Sequence, residues 1–306
     1  MASHDLSASR TAACVLTAMF ILGIADNLIR LIAADIGLHQ FHLLRSLLAG
    51  CGLLAFARWR GLPLGWQRGA PVVWRGVLVG LAMYLYFASL AFLPIGTVVA
   101  GLFTAPVFVV LISRLGFKHP LRRRHVVAVA LGFAGMACIT LPGGGEASAI
   151  LTLPVLAGFF YACANVIARE YCPDESTVVL SIAVFTALGA LGAVALVGIA
   201  VLSPALPASA PAFVTLGWQP LTLQAAGLTA FHALCASLAI GLLTFAYQHG
   251  LPTRVAVLEY TLLVFASAFA WLFWREWPSA LAVTGMALIA LSGWLISRPG
   301  QTPQRG

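Results

Sequence analysis

The chain is a succession of apolar runs, each about as long as a bilayer is thick, with little between them. An α-helix rises about 1.5 Å per residue, so about 20 apolar residues cross the hydrocarbon core. Runs of that length occupy residues 11–34, 39–57, 71–93, 95–117, 124–141, 151–169, 177–202, 223–250, 252–274 and 278–297. They predict an all-α polytopic membrane protein of ten transmembrane helices, with no soluble domain left over. The Pro-, Ser- and Ala-rich stretch 203–219 is the longest connection. Only 8% of the residues are charged, against about 25% in a soluble domain, which excludes the globular alternative. The first run follows a short polar N-terminus without a clear cleavage site and reads as a helix, not a cleaved signal.

One stretch occurs twice. LPIGTVVAGLFTAPVFVVLISRLGFKHP runs from Leu93 to Pro120, and LPTRVAVLEYTLLVFASAFAWLFWREWP from Leu251 to Pro278. The two align without a gap, Pro94 on Pro252 and Pro120 on Pro278. Each is followed by an apolar helix containing Gly-Met-Ala, at Gly135 and Gly285, and preceded by a helix with aromatic residues in its second half. Matching interrupted segments in two halves are the mark of a transporter built from internal repeats. The halves are residues 1–145 and 146–306. Five helices per half is an odd number, so the second half enters the membrane inverted.

Charge tests the count. The net charge of +8 is concentrated in particular loops, as expected of a membrane topology and not of a nucleic-acid partner. Arg58, Arg60, Arg68, Arg75, Arg114, Lys118, Arg122, Arg123 and Arg124 fall on one side, with Arg10, Arg169, Arg254, Arg298 and Arg305; the other receives Arg275. The positive-inside rule makes the first side, and both termini, cytoplasmic. Trp59, Trp66 and Trp74 then lie near the inner interface and Trp271, Trp274 and Trp277 near the outer one. Small residues such as Gly132, Gly135, Gly189, Gly192, Gly285, Ser292 and Gly293 allow helices to approach closely.

An ionisable side chain in hydrocarbon costs roughly 2.5–3.5 kcal/mol on the mildest scale, so each should face a partner or a watery cavity. The first helix carries Asp26, Asn27 and Arg30, and the second His42 and Arg45. Asp26 and Arg30 are four apart and able to pair on one helical face. All five fall toward the outer half. Arg45 and Arg30 either bind an anionic group such as a substrate carboxylate, or are a structural ion pair and an interfacial anchor. Cys163-Ala-Asn165-Val-Ile repeats Ala25-Asp-Asn27-Leu-Ile, so Asn27 and Asn165 are counterparts, with Tyr161 one turn before Asn165. Each Asn is equally a helix cross-link.

Glu259 stands in the ninth run opposite Gly101 of the first copy. A carboxylate there suits proton exchange or a substrate amine, or else is simply held by a hydroxyl or amide. His232 is a weaker cavity-lining candidate, and His249 reads as interfacial. Thr104 and Pro106 interrupt the fourth run, and Pro106 frees a carbonyl that has to be re-satisfied or line a cavity. Tyr84, Tyr86 and Tyr260 would give such a cavity aromatic walls, or serve as packing. The six cysteines are scattered small residues without metal spacing. No hydrolytic constellation or P-loop is present, Gly143-Gly144-Gly145 resembling a helix stop, and no cofactor or metal is called for.

The Leu-Pro-opened segments, the Pro106 helix, the Gly-Met-Ala helices and Arg45 together resemble the drug/metabolite transporter superfamily, in particular its exporters with two EamA units in tandem. The resemblance covers almost the whole chain through diffuse, apolar motifs. It implies a basket in which helices 3, 4, 8 and 9, with 1 and 6, surround a central cavity and helices 5 and 10 lie outside. The family usually carries a Glu before the last helix of each unit. Glu276 matches, but Lys118 takes that place in the first half. The resulting expectation is a bacterial inner-membrane carrier, not an enzyme. It would move a small, amino-acid-like or otherwise polar metabolite outward by alternating access, with protons as a possible coupling ion. A passive channel or lipid scramblase is the alternative.

Overall fold

The computed structural model describes residues 8–93, 95–118, 123–140, 150, 152–202 and 211–297, and all regular structure among them is helical. Pro94, Pro120, Arg122, the 143–145 glycines with the boundary between the halves, Arg298 and Arg305 lie outside the described residues. The first helices are α1 (Ala8–Asn27), α2 (Ile29–Ala33), α3 (Leu38–Trp59) and α4 (Gly69–Ser89). Then come α5 (Ile95–Leu102), α6 (Ala105–Leu115), α7 (Arg123–Thr140), α8 (Thr152–Tyr171) and α9 (Thr177–Leu202). The short α10 (Ala212–Thr215) precedes α11 (Leu223–His249), α12 (Pro252–Glu259), α13 (Thr261–Trp274) and α14 (Ala280–Ser297). Among the described residues, seven stretches are long and apolar enough to cross a membrane, counting α1 with α2 and α12 with α13 as one each; shorter apolar helices cover Ala105–Leu115, Val126–Cys138 and Ala280–Ser292. The protein is a multi-pass membrane protein.

Three runs that the sequence presents as continuous are broken. The first gives way at Leu28, whose N–H bonds to the Ala25 carbonyl in a tightened turn. The fourth breaks between α5 and α6, where Pro106 has no N–H to offer the Leu102 carbonyl and the Thr104 hydroxyl donates back to the Gly101 carbonyl at 2.7 Å. The ninth breaks at Tyr260, where the Thr261 hydroxyl donates to the Leu258 carbonyl at 2.7 Å. Set one above the other, the fourth and ninth runs break within a residue or two of the same place. The ninth has no proline there, so a hydroxyl competing for a helical carbonyl is the device common to both.

Close approach at small residues holds the helices together, as lipid offers no hydrophobic drive between them. α3 lies along α9, where a Cβ on Gly192 would stand 2.7 Å from the His39 carbonyl oxygen. α4 packs on α8 and α9, with Gly76 against the Ala183 backbone at 2.8 Å. α1 packs on α11 and α13, and Gly23 abuts Phe265. α5 and α6 lean on α8, where Gly101 meets Pro154 and Gly158 meets the Leu102 carbonyl. α7 pairs with α14, and a Cβ on Gly135 would come 2.6 Å from the Gly285 carbonyl oxygen. The Gly132 position is likewise filled, by the ring of Tyr260.

The connections gather at two ends. At one, the α3–α4, α8–α9 and α11–α12 connections meet. The Arg68 N–H and the Glu175 carboxylate are bonded, and Gln248 donates to the carbonyls of Cys172 (2.6 Å) and Glu175 (2.9 Å) while accepting from the Thr177 hydroxyl (2.8 Å). Phe117 stacks edge-on against Tyr171 there, and Gly250 touches Thr11. At the other end Gln40 and Gln219 exchange hydrogen bonds, and Thr222 donates to Asp35 at 2.6 Å. There Arg30 meets Glu276 at 3.0 Å. Arg58, Arg60, Arg68, Arg114, Lys118, Arg169 and Arg254 belong to the first end, whereas Arg30 and Arg275 belong to the second. Trp59, Trp66 and Trp74 are exposed near the first and Trp277 at the second. The helix faces between carry exposed Leu47, Leu48, Val194, Val197, Leu234 and Leu238, the surface that hydrocarbon would cover.

Candidate functional site

Two polar clusters are buried inside this shell. The first is built by α1, α3, α4 and α11. Arg45, only 3% exposed, donates from Nη2 to His42 Nδ1 at 3.3 Å. Its guanidinium lies 5.0 Å from the Phe41 ring centroid and 5.3 Å from that of Phe87, aromatic faces that partly replace the water it has lost. His232 places Nε2 3.9 Å from Asp26 Oδ1, beyond hydrogen-bond reach. The His39 Nε2 bonds to the Val214 carbonyl at 2.8 Å. A carbonyl only accepts, so in the neutral ring that nitrogen carries the hydrogen and Nδ1 accepts the Tyr84 hydroxyl, 2.5 Å away. The Tyr84 ring in turn stacks on His42. Arg45 Nε, His42 Nε2 and His232 Nδ1 are buried without a hydrogen-bond partner. The cluster therefore holds a permanent cation, three imidazoles and a nearby carboxylate that does not close on any of them.

The second cluster is built by α4, α8, α11 and α12. Glu259 ends α12, 4% exposed. Its Oε1 accepts the Tyr161 hydroxyl at 2.6 Å and its Oε2 the Tyr247 hydroxyl at 2.7 Å. Asn165 lies beside both phenols, and its amide nitrogen is buried without a hydrogen bond. Next to Tyr161 is Arg75, 2% exposed, which donates to the Leu180 carbonyl at 3.0 Å and to the Thr244 hydroxyl at 2.7 Å.

The clusters approach the interior from opposite ends. Arg45 is seven residues beyond Leu38, the start of α3, and Glu259 is seven beyond Pro252, the start of α12. At about 1.5 Å per residue each lies roughly 10 Å from its own end.

Of the residues singled out in the sequence, Asp26, His42, Arg45, Tyr84 and His232 come together in the first cluster, and Tyr161, Asn165 and Glu259 in the second. Four lie elsewhere. Asn27 donates to the Gly23 carbonyl at 2.8 Å and the Ala266 carbonyl at 3.1 Å, a cross-link between α1 and α13. The expected Asp26–Arg30 pair does not form, because the break at Leu28 separates the two. Arg30, half exposed, pairs instead with Glu276 and lies 3.9 Å over the Trp274 ring. Arg275, at φ 56°, turns the chain there. Thr104 spends its hydroxyl on the Gly101 carbonyl. Tyr260 donates to the Phe103 carbonyl at 3.2 Å and packs edge-on against Phe103. The sequence alone does not single out His39, Tyr247 or, above all, Arg75, which counts there only with the basic side of the topology. Its place inside the 71–93 apolar run was the available signal.

Residues 9–141 match the model of the EamA-like transporter family. The chain is also 26% identical, over 92% of its length and 93% of that protein's, to the pseudopaline exporter CntI of Pseudomonas aeruginosa strain UCBPP-PA14. Another relative, an uncharacterized transporter of Helicobacter pylori strain 26695, is 28% identical over 73% of the chain and 72% of its own length. A crystal structure at 19% identity superposes on the chain with a TM-score of 0.76, covering 94% of this chain and 96% of that one; the likeness is one of fold.

Proposed function

We propose that this chain is an EamA-like transporter, a secondary carrier of the bacterial inner membrane that exports a small polar metabolite by alternating access. In this reading the broken fourth and ninth runs and the α7 and α14 helices complete ten crossings in two inverted halves, residues 1–145 and 146–306. Swapping the halves exchanges α1 with α8, α3 with α9, α4 with α11, the α5–α6 pair with α12–α13, and α7 with α14. Under that exchange α3·α9 and α7·α14 map onto themselves, α1·α11 onto α4·α8, and α4·α9 onto α3·α11. Such a pattern is expected of a two-fold axis in the membrane plane. The end that gathers the arginines is cytoplasmic by the positive-inside rule, and both termini lie on that side.

One observation carries the reading: two ionisable clusters are buried at matching depth from opposite ends, and neither Arg45 nor Glu259 is directly hydrogen-bonded to a group of opposite charge. A carrier needs such groups facing a path, whereas lipid tolerates none. Arg45, with His42, His232 and Asp26 around it, takes an anionic group of the substrate on the outer side. Glu259 exchanges a proton, or an amine, on the inner side, with Tyr161, Tyr247 and Asn165 as its donors. The name of the Pseudomonas relative supports export as the direction.

Purified protein in liposomes tests this. A carrier shows saturable counterflow of its substrate, which a pore does not. Arg45→Ala is expected to abolish counterflow; wild-type counterflow in that variant would remove Arg45 from the mechanism.

A further inference from the structure

Arg75 has no place in the mechanism above, yet it is as deeply buried as Arg45. It stands six residues beyond Gly69, the start of α4, roughly 9 Å from the basic end. Its two hydrogen bonds go to neutral acceptors, the Leu180 carbonyl and the Thr244 hydroxyl. Its Nε is buried with no acceptor at all. Glu259 accepts from Tyr161 and Tyr247, and among the described residues no ion pair joins it to Arg75. A guanidinium presents five donors in a planar fork suited to two carboxylate oxygens, and here only part of that fork is used.

Arg45 repeats these features at the other end. It is seven residues into α3, bonded to a neutral imidazole, and its Nε is also orphaned. Two buried guanidinium groups, each short of an anion and each about a third of the way in from its own face, are what a path for an organic anion requires.

We infer that Arg75 is a second carboxylate-binding subsite, on the basic side of the path, and that the transported metabolite carries a carboxylate passed from Arg75 to Arg45. The inference rests on the carrier reading and names its substrate class. Thr244 and the Leu180 carbonyl hold the guanidinium in place while its remaining N–H groups receive the carboxylate. Glu259, beyond Tyr161, is then free to serve the proton or a cationic part of the same molecule.

An arginine reagent that is itself an impermeant anion, a sulfonated phenylglyoxal, tests this on the wild-type protein, with modified residues mapped by mass spectrometry. In inside-out vesicles Arg75 is expected to be modified, and sodium propanoate to slow its modification at least fivefold relative to sodium chloride of equal ionic strength. Inorganic phosphate and propylammonium should give no such protection. In right-side-out vesicles Arg45 should be modified in its place. Arg75 left unmodified from the basic side, modified without protection, or protected equally by phosphate would overturn the assignment. Thr244→Val separates binding from tethering: a subsite keeps propanoate protection there, and its loss would mean that Arg75 only ties helices together. Counterflow without Arg75 protection would leave the carrier and remove the subsite; protection without counterflow would do the reverse.

Discussion

Replacing Glu259 by Gln keeps the shape of the second cluster and removes its charge and its proton. The carboxylate accepts two short hydrogen bonds, at 2.6 and 2.7 Å. Bonds to a charged group are each worth about 1.5–3 kcal/mol, against about 0.5–1.5 kcal/mol for neutral ones. Gln keeps one acceptor oxygen and its amide nitrogen only donates, so one phenol has to turn and accept; with both bonds then neutral the pair is weaker by roughly 2–3 kcal/mol. Against that stands relief from holding a charge away from water without a counter-ion, worth several kcal/mol even after relaxation. The two nearly cancel, so Glu259→Gln should leave the melting temperature in detergent within a few degrees of wild type. Tyr247→Phe is the contrasting case. It strips one donor and leaves the acceptor unmet, costing about 1.5–3 kcal/mol. If Glu259 exchanges the coupling proton, Glu259→Gln abolishes uphill export driven by a proton gradient while counterflow continues. A thermal-shift series beside flux in liposomes separates the outcomes. A strongly destabilised Glu259→Gln protein that still exports uphill would refute this reasoning and make the carboxylate a structural strut.

Gly135→Leu should be poorly tolerated, since even a Cβ there would meet the Gly285 carbonyl oxygen at 2.6 Å; yield and melting temperature in detergent report it, with a loss of about 1–3 kcal/mol expected of overpacking. Glu276→Gln removes an ion pair whose side chains are 47% and 57% exposed, and should cost less than about 1 kcal/mol with counterflow unchanged. Single cysteines at Arg68 and Arg123 are expected to react with an impermeant maleimide from the cytoplasmic face, and one at Trp277 from the opposite face. Labelling of Arg68 and Arg123 from different faces would break the inverted arrangement.

Much of the site was legible because charge in an apolar run is conspicuous. Asp26, His42, Arg45 and Glu259 stand out in the sequence on that ground alone, and the structure buries Arg45 and Glu259 among polar partners. Partnership was less legible. Asp26 and Arg30 share a helical face only if the helix continues through Leu28; it does not, so Asp26 faces His232 and Arg30 finds Glu276, 246 residues along the chain. Asn27 and Asn165 occupy matching places in a repeated motif, yet one spends its amide on α13 and the other sits beside two phenols. Arg75 shows the limit of reading a cation by its distance from a loop.

Residue order and composition suffice to mark the chain as a bundle of apolar helices, to sort its basic loops, and to pick out the residues too costly to leave in lipid. These follow from composition and period, because a bilayer imposes one length and one polarity on whatever crosses it. Only the tertiary structure decided which rare polar groups meet. Those meetings depend on where helices break and how closely small residues let them approach, and a shift of one residue turns a side chain by about 100°. That rotation decides whether Arg75, well inside α4, faces outward or, as it does, the interior.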